Sequence, residues 1–177
     1  MNEFFTTKRL CRAGIISALY VALTYAFAPF AFGPIQVRPA EALCILPLFF
    51  PEAIPALYVG CMLSNVASPY AIYDMFLGSL VTLLAAFGSY MVGCFFKKDA
   101  LKVFFGGLFP VILNALLIPV IIVFLCTPNL DQATAGATYL SWALTLFITQ
   151  SLWVYALGTP LYFSVKKLRK RGVKFFC

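Results

Sequence analysis

Apolar residues fill this chain in long runs, and the charged residues collect in short breaks between them. The clearest runs are Ala13 to Ala28, Tyr73 to Phe96, Val103 to Cys126 and Tyr139 to Val165. Runs of this length predict membrane-spanning helices rather than the short alternating strands of a barrel. Ala42 to Val66 is ambiguous, because its 25 residues suffice for one tilted crossing or two short ones.

Charge resolves the ambiguity. Of the 13 Lys and Arg residues, 12 fall in three clusters at the ends of apolar runs. Lys8, Arg9 and Arg12 form the first, and Lys97, Lys98 and Lys102 the second. Lys166, Lys167, Arg169, Lys170, Arg171 and Lys174 form the third. If Ala42 to Val66 crosses twice, all three clusters share the cytoplasmic side, as the positive-inside rule requires. Pro51-Glu52 near its middle supplies a turn, with Pro47 and Pro55 around it.

The expected fold is therefore an all-α membrane protein, a six-transmembrane-helix bundle with both termini cytoplasmic. Residues 1–177 form a single domain, with helices at roughly 10–30, 42–51, 53–66, 73–96, 103–126 and 139–165. Three loops, near Pro29 to Pro39, Ala67 to Ile72 and Thr127 to Thr138, then face outward. Arg38, Glu41, Asp74 and Asp131 fall on or near that outer face, and Glu52 on the inner one. The Lys8–Arg12 cluster and Ala26-Phe27-Ala28 resemble a signal peptide, but the run is long enough to span, which favours a retained first helix.

Composition agrees: the chain is 63% hydrophobic and 11% charged, against about 25% charged in a soluble domain. The net charge of +7 belongs to the membrane flanks, so no nucleic-acid partner is expected. The six cysteines show no CxxC spacing and there is no His, so neither a metal site nor a disulfide framework is expected. No phosphate-binding GxxxxGK[ST] loop is present, so no ATP site of that kind is expected, and no cofactor is indicated. No internal repeat is visible, which weighs against a self-contained secondary transporter.

Arg38 is the one cation outside the clusters, and it lies with Glu41 in the break FGPIQVRPAEAL, residues 32–43. Charge at a membrane edge points to a specific partner or ligand. Gly33 permits a bend there, and Pro34 and Pro39 stiffen it. Gln36, Arg38 and Glu41 form a candidate lid or ligand clamp, in which a carboxylate accepts paired N–H donors. The competing reading is an Arg38–Glu41 ion pair that caps the second helix. Asp74 is either a helix-entry charge or a second acceptor for an amino-bearing ligand. Asn114 and Gln150 are mid-helix amides that bond one another or face a ligand. Tyr139, Trp142, Leu146, Gln150 and Trp153 recur at helical spacing on one face, a candidate bed for a flat heterocycle. Tyr139 and Trp142 also suit interfacial anchoring. Gly14, Ala18 and Ala22 repeat every four residues and admit close approach by another helix, inside this chain or outside it.

FGPIQVRPAEAL, preceded by SALYVALTYAF, resembles the queuosine-precursor transporter (QueT) family. LPLFFPEAIPALYVGCMLSN, YDMFLGSLVTLLAA, FPVILNALLIP and VYALGTPL extend the resemblance over roughly residues 10–168. Such proteins are substrate-binding (S) components of energy-coupling factor (ECF) transporters. The resemblance implies a bacterial plasma-membrane protein that is not itself an enzyme. It implies a deazaguanine ligand, queuine or a pre-queuosine base, and docking on a transmembrane coupling subunit driven by two cytosolic ATPases. It places the docking surface at Gly14, Ala18 and Ala22. Two departures stand out: Ala40 occupies a position where the family often has Ser, and Gln150 one where a carboxylate can occur. The alternatives are an S component for another vitamin, a small membrane enzyme using Glu41 and Asp74 as acid and base, and a purely structural subunit.

Overall fold

Prolines and polar breaks mark most of the helix ends. The computed structural model describes residues 6–32, 35–127 and 131–173, and every regular element among them is helical. Helix α1 spans Thr7–Ala26 and is followed by a single turn, α2, Ala28–Ala31. A 3-10 helix covers Pro39–Leu48. Helix α3, Ala53–Ser64, continues into a 3-10 turn at Asn65–Ala67. The turn α4, Ala71–Tyr73, leads through a π-helical turn, Asp74–Gly78, into α5, Ser79–Phe95. Helix α6, Asp99–Val120, ends in a π-helical stretch, Ile121–Cys126. Helices α7, Gln132–Ala156, and α8, Gly158–Lys170, complete the chain. Gly33, Pro34 and Lys174, given roles above, lie outside the described residues.

Three elements differ from the sequence expectation for local reasons. The second helix is a 3-10 helix that begins at Pro39. Proline fixes φ at its start, and Pro47 lacks the N–H that an α-helix would bond to Leu43. Runs of 3-10 helix beyond 3–4 residues are uncommon; this one has 10, all buried, so the surrounding helices hold it. The last helix divides at Leu157, because Pro160 removes the N–H that would bond to Ala156. The outer loop near Thr127 to Thr138 is shorter than expected, with α7 starting at Gln132.

The 3-10 helix forms the centre of the bundle, in contact with α1, α3, α5, α6, α7 and α8. Tyr20, Ala40, Leu43, Cys44 and Leu57 anchor the largest apolar core. Gly60 lets α3 approach α1: a Cβ there would lie 3.0 Å from Tyr20 Cβ and 3.1 Å from the Ser17 carbonyl oxygen. That approach holds Tyr20 fully buried and turned toward the centre.

The charged ends are brought together. Arg12 pairs with Glu52 at 2.6 Å, so the Pro51-Glu52 turn returns to the end where α1 begins. Lys166 bonds Asp99, beside Lys98 and Lys102, and Arg169 lines one cavity with Lys8 and Arg9. The three basic clusters thus gather at one end of the molecule.

The outer surface is apolar. Leu19, Leu84, Phe87, Leu144, Phe147 and Ile148 are all exposed. Water-soluble folds seldom present so much contiguous apolar surface, whereas hydrocarbon solvates it. Three helical stretches are long and apolar enough to cross a membrane: Asp74–Phe95, Asp99–Cys126 and Thr134–Lys170. Pro39–Leu48 and Ala53–Ala67 are apolar but shorter.

Candidate functional site

A carboxylate that leaves water must be compensated by donors or cations. Glu41 is 1% exposed, in the first turn of the 3-10 helix, and donors from separate elements meet it. The Tyr20 hydroxyl of α1 donates to Oε1 at 2.9 Å. The Asn114 amide of α6 donates to Oε2 at 3.3 Å and lies 3.5 Å from Gln150 Oε1 of α7. The Cys44 thiol, one 3-10 turn on, makes a weak contact with Oε2 at 3.4 Å.

Arg38 stands beside Glu41 but is held by another residue. Its Nε is 4.0 Å from Glu41 Oε1, beyond hydrogen-bond range. Its Nη2 donates instead to Asn65 Oδ1 at 2.8 Å, and its guanidinium faces the Phe32 ring at 5.8 Å. The buried Nε has no hydrogen-bond partner among the described residues. Asn65 in turn donates to the Asp74 carbonyl oxygen at 2.9 Å and contacts Cys61 Sγ at 3.4 Å. Ser68 donates to Asp74 Oδ2 at 2.6 Å. Gly78 keeps the space open, since a Cβ there would lie 3.0 Å from Asp74 Oδ1 and 3.3 Å from Asn65 Nδ2.

Arg38, Glu41, Asp74, Asn114 and Gln150 are therefore joined into one buried polar assembly, reached from residues far apart in sequence. Gln36 is buried as well. The aromatic stripe behaves differently. Leu146 and Gln150 are buried, but Tyr139, Trp142 and Trp153 are only half-buried. The Tyr139 hydroxyl donates to the Leu116 carbonyl oxygen at 3.3 Å, and Trp142 packs on the apolar cluster of Ile118 and Ile122. Tyr139 and Trp142 thus support the wall between α6 and α7.

Sequence patterns did not single out Tyr20, Asn65 or Ser68. Tyr20 looks like an ordinary aromatic in an apolar run, and Asn65 and Ser68 look like helix-end residues. Their only signal was polarity next to a membrane span. The Arg12–Glu52 pair was also hidden, because Arg12 belongs to a flanking cluster.

Gly14, Ala18 and Ala22 line a groove of about 850 Å³ between α1 and α3, faced by Pro55, Val59 and Leu63. A Cβ on Gly14 would meet nothing within 4 Å. The small residues therefore do not serve the α1–α3 contact, where Gly60 is the close point.

In chemical terms the assembly offers carboxylate acceptors beside an unused guanidinium N–H. A family model described as QueT transporter matches residues 10–167. The chain belongs to the QueT transporter family. The assembly lies wholly inside the stretch that defines membership. A queuosine precursor transporter, QueT, of Lactococcus lactis subsp. cremoris (strain MG1363) is 36% identical over 95 residues. That match spans 52% of this chain and 56% of the Lactococcus protein, about half of each. No solved structure matches the chain.

Proposed function

We propose that this QueT-family protein is the substrate-binding S component of an ECF-type transporter and binds a queuosine precursor. The observation that carries the proposal is the placement of Glu41 and Arg38. Glu41 Oε1 lies 4.0 Å from an Arg38 N–H that has no hydrogen-bond partner among the described residues, inside an apolar bundle. A deazaguanine base presents N–H and NH2 donors beside a carbonyl oxygen. Glu41 accepts from the donors, and Arg38 Nε donates to the carbonyl. Asn65 orients Arg38, and Tyr20 orients Glu41. Asp74 receives an aminomethyl substituent where the ligand carries one. Gln36, Asn114, Gln150 and Trp153 complete the lining, and Tyr139 and Trp142 buttress it.

In this reading the chain is one domain crossing a bacterial plasma membrane six times. Its basic end is cytoplasmic, and the Glu41 assembly takes its ligand from the outside. Transport is driven by ATP hydrolysis in two cytosolic subunits. They act through a transmembrane coupling subunit whose helix seats against Gly14, Ala18 and Ala22. Support comes from the gathered basic clusters, the membership in a transporter family and the open groove.

Mass spectrometry of the small molecules released from gently extracted protein tests the proposal. The expected species is queuine or a pre-queuosine base in near-stoichiometric amount. A different vitamin, or turnover of the bound base by the isolated chain, contradicts it.

A further inference from the structure

We infer that Gln150 of α7 is a specificity-determining residue, which donates to the ring nitrogen beside the amino group of the ligand, and that Asn114 of α6 positions it. The inference rests on the reading of Glu41 and Arg38 proposed above. A carboxylate only accepts hydrogen bonds. The Asn114 atom 3.3 Å from Glu41 Oε2 is therefore its nitrogen, Nδ2. The same nitrogen faces Gln150 at 3.5 Å, so the Gln150 atom there is the acceptor, Oε1. The charge on Glu41 thus orients two amides in series. Both hydrogens of Asn114 Nδ2 are engaged. Gln150 Nε2 and Asn114 Oδ1 are left without a hydrogen-bond partner among the described residues. Gln150 is 1% exposed and Asn114 is 4% exposed. Buried amide groups in that state call for a partner that enters with a ligand.

The order of the groups says which partner. Arg38 Nε, a donor, lies 4.0 Å from Glu41 Oε1. Glu41 Oε2 comes next, then Asn114, then Gln150 with its NH2 turned away from Asn114 Nδ2. Read from Arg38 to α7, the chain offers donor, acceptor, acceptor, donor. The edge of a deazaguanine runs carbonyl oxygen, ring N–H, amino N–H, ring nitrogen N3. That is acceptor, donor, donor, acceptor, the complement at every step. The Cys44 thiol, a weak donor at 3.4 Å, is the contact on Oε2 that a ligand N–H displaces. Asn114 Oδ1 then accepts from the N–H of the five-membered ring, which follows N3 in the base. A ligand without an acceptor at N3 leaves the Gln150 NH2 buried and unpaired, and is rejected on that account.

The test titrates the full chain in detergent with 7-deazaguanine and with 3,7-dideazaguanine, in which a C–H replaces N3. The unaltered chain is expected to bind 7-deazaguanine roughly tenfold to a hundredfold more tightly. Gln150→Leu is expected to bind 7-deazaguanine more weakly and to lose the preference. A purely structural Gln150, bonded only to Asn114, changes stability but leaves the ratio of the two affinities intact. A preference that persists in Gln150→Leu, or equal affinities in the unaltered chain, overturns the inference while the Glu41 reading stands. Binding of neither base by the unaltered chain overturns both. Gln150→Met, closer in length, gives the same comparison if the leucine variant does not fold.

Discussion

Tyr20 donates its hydroxyl proton to Glu41 across 2.9 Å, joining the middle of α1 to the first turn of the central 3-10 helix. Both side chains are buried. The bond places the candidate ligand-reading carboxylate under the control of α1, the helix whose opposite side lines the open groove. Removing only the hydroxyl, with Tyr20→Phe, keeps the ring and its packing. A hydrogen bond to a charged group is worth about 1.5–3 kcal/mol, so the variant should lose stability of that order. Thermal unfolding in detergent measures the loss, and unchanged unfolding would remove Tyr20 from the assembly.

Gly60 sets how closely α1 and α3 approach. In Gly60→Ala the new methyl meets Tyr20 Cβ and the Ser17 carbonyl oxygen at 3.0 and 3.1 Å, so a helix must shift. Overpacking of this kind costs about 1–3 kcal/mol. Gly14→Ala, where nothing lies within 4 Å, should be neutral or slightly stabilising. Comparing the two unfolding temperatures checks the contrast, and equal effects would contradict the close approach.

Glu52 balances Arg12 in a buried pair. Glu52→Gln takes the Glu52 charge away from the buried guanidinium, and breaking a buried pair costs up to about 3–5 kcal/mol. The double change Arg12→Leu/Glu52→Leu removes both charges and should recover much of that loss. A double-mutant cycle on unfolding measures the coupling, and additive effects would refute it.

The proposed roles of the two faces of α1 can be separated. Ala18→Trp fills the groove between α1 and α3 without touching the Glu41 assembly. Ligand binding by the isolated protein should persist while co-purification with the coupling subunit is lost. Loss of ligand binding with intact co-purification would reverse the assignment.

Much of this was legible in the chain itself. Long apolar runs and basic flanks located the helices, and the isolated Arg38 and Glu41 located the polar centre. The mid-helix amides Asn114 and Gln150 pointed to it as well. What periodicity could not carry was which groups meet. Asn65 holds Arg38 across 27 positions of sequence, and Asn114 reaches Glu41 across 73. Such pairings depend on how far each helix slides along its neighbours, which Gly60 and Gly78 set by steric clearance. The 3-10 geometry of Pro39–Leu48 was hidden for a related reason. Its prolines disfavour an α-helix, but only packing from six helices makes the tighter form persist.

Glu41 is the proposed reader of the deazaguanine edge. Titration of the purified chain with queuine or a pre-queuosine base, without ATP or partner proteins, tests this most directly. Saturable binding is predicted, weakened at least about tenfold in Glu41→Gln by loss of a charge-assisted hydrogen bond. Equal affinity of the two proteins, or no binding by the unaltered chain, would contradict the account.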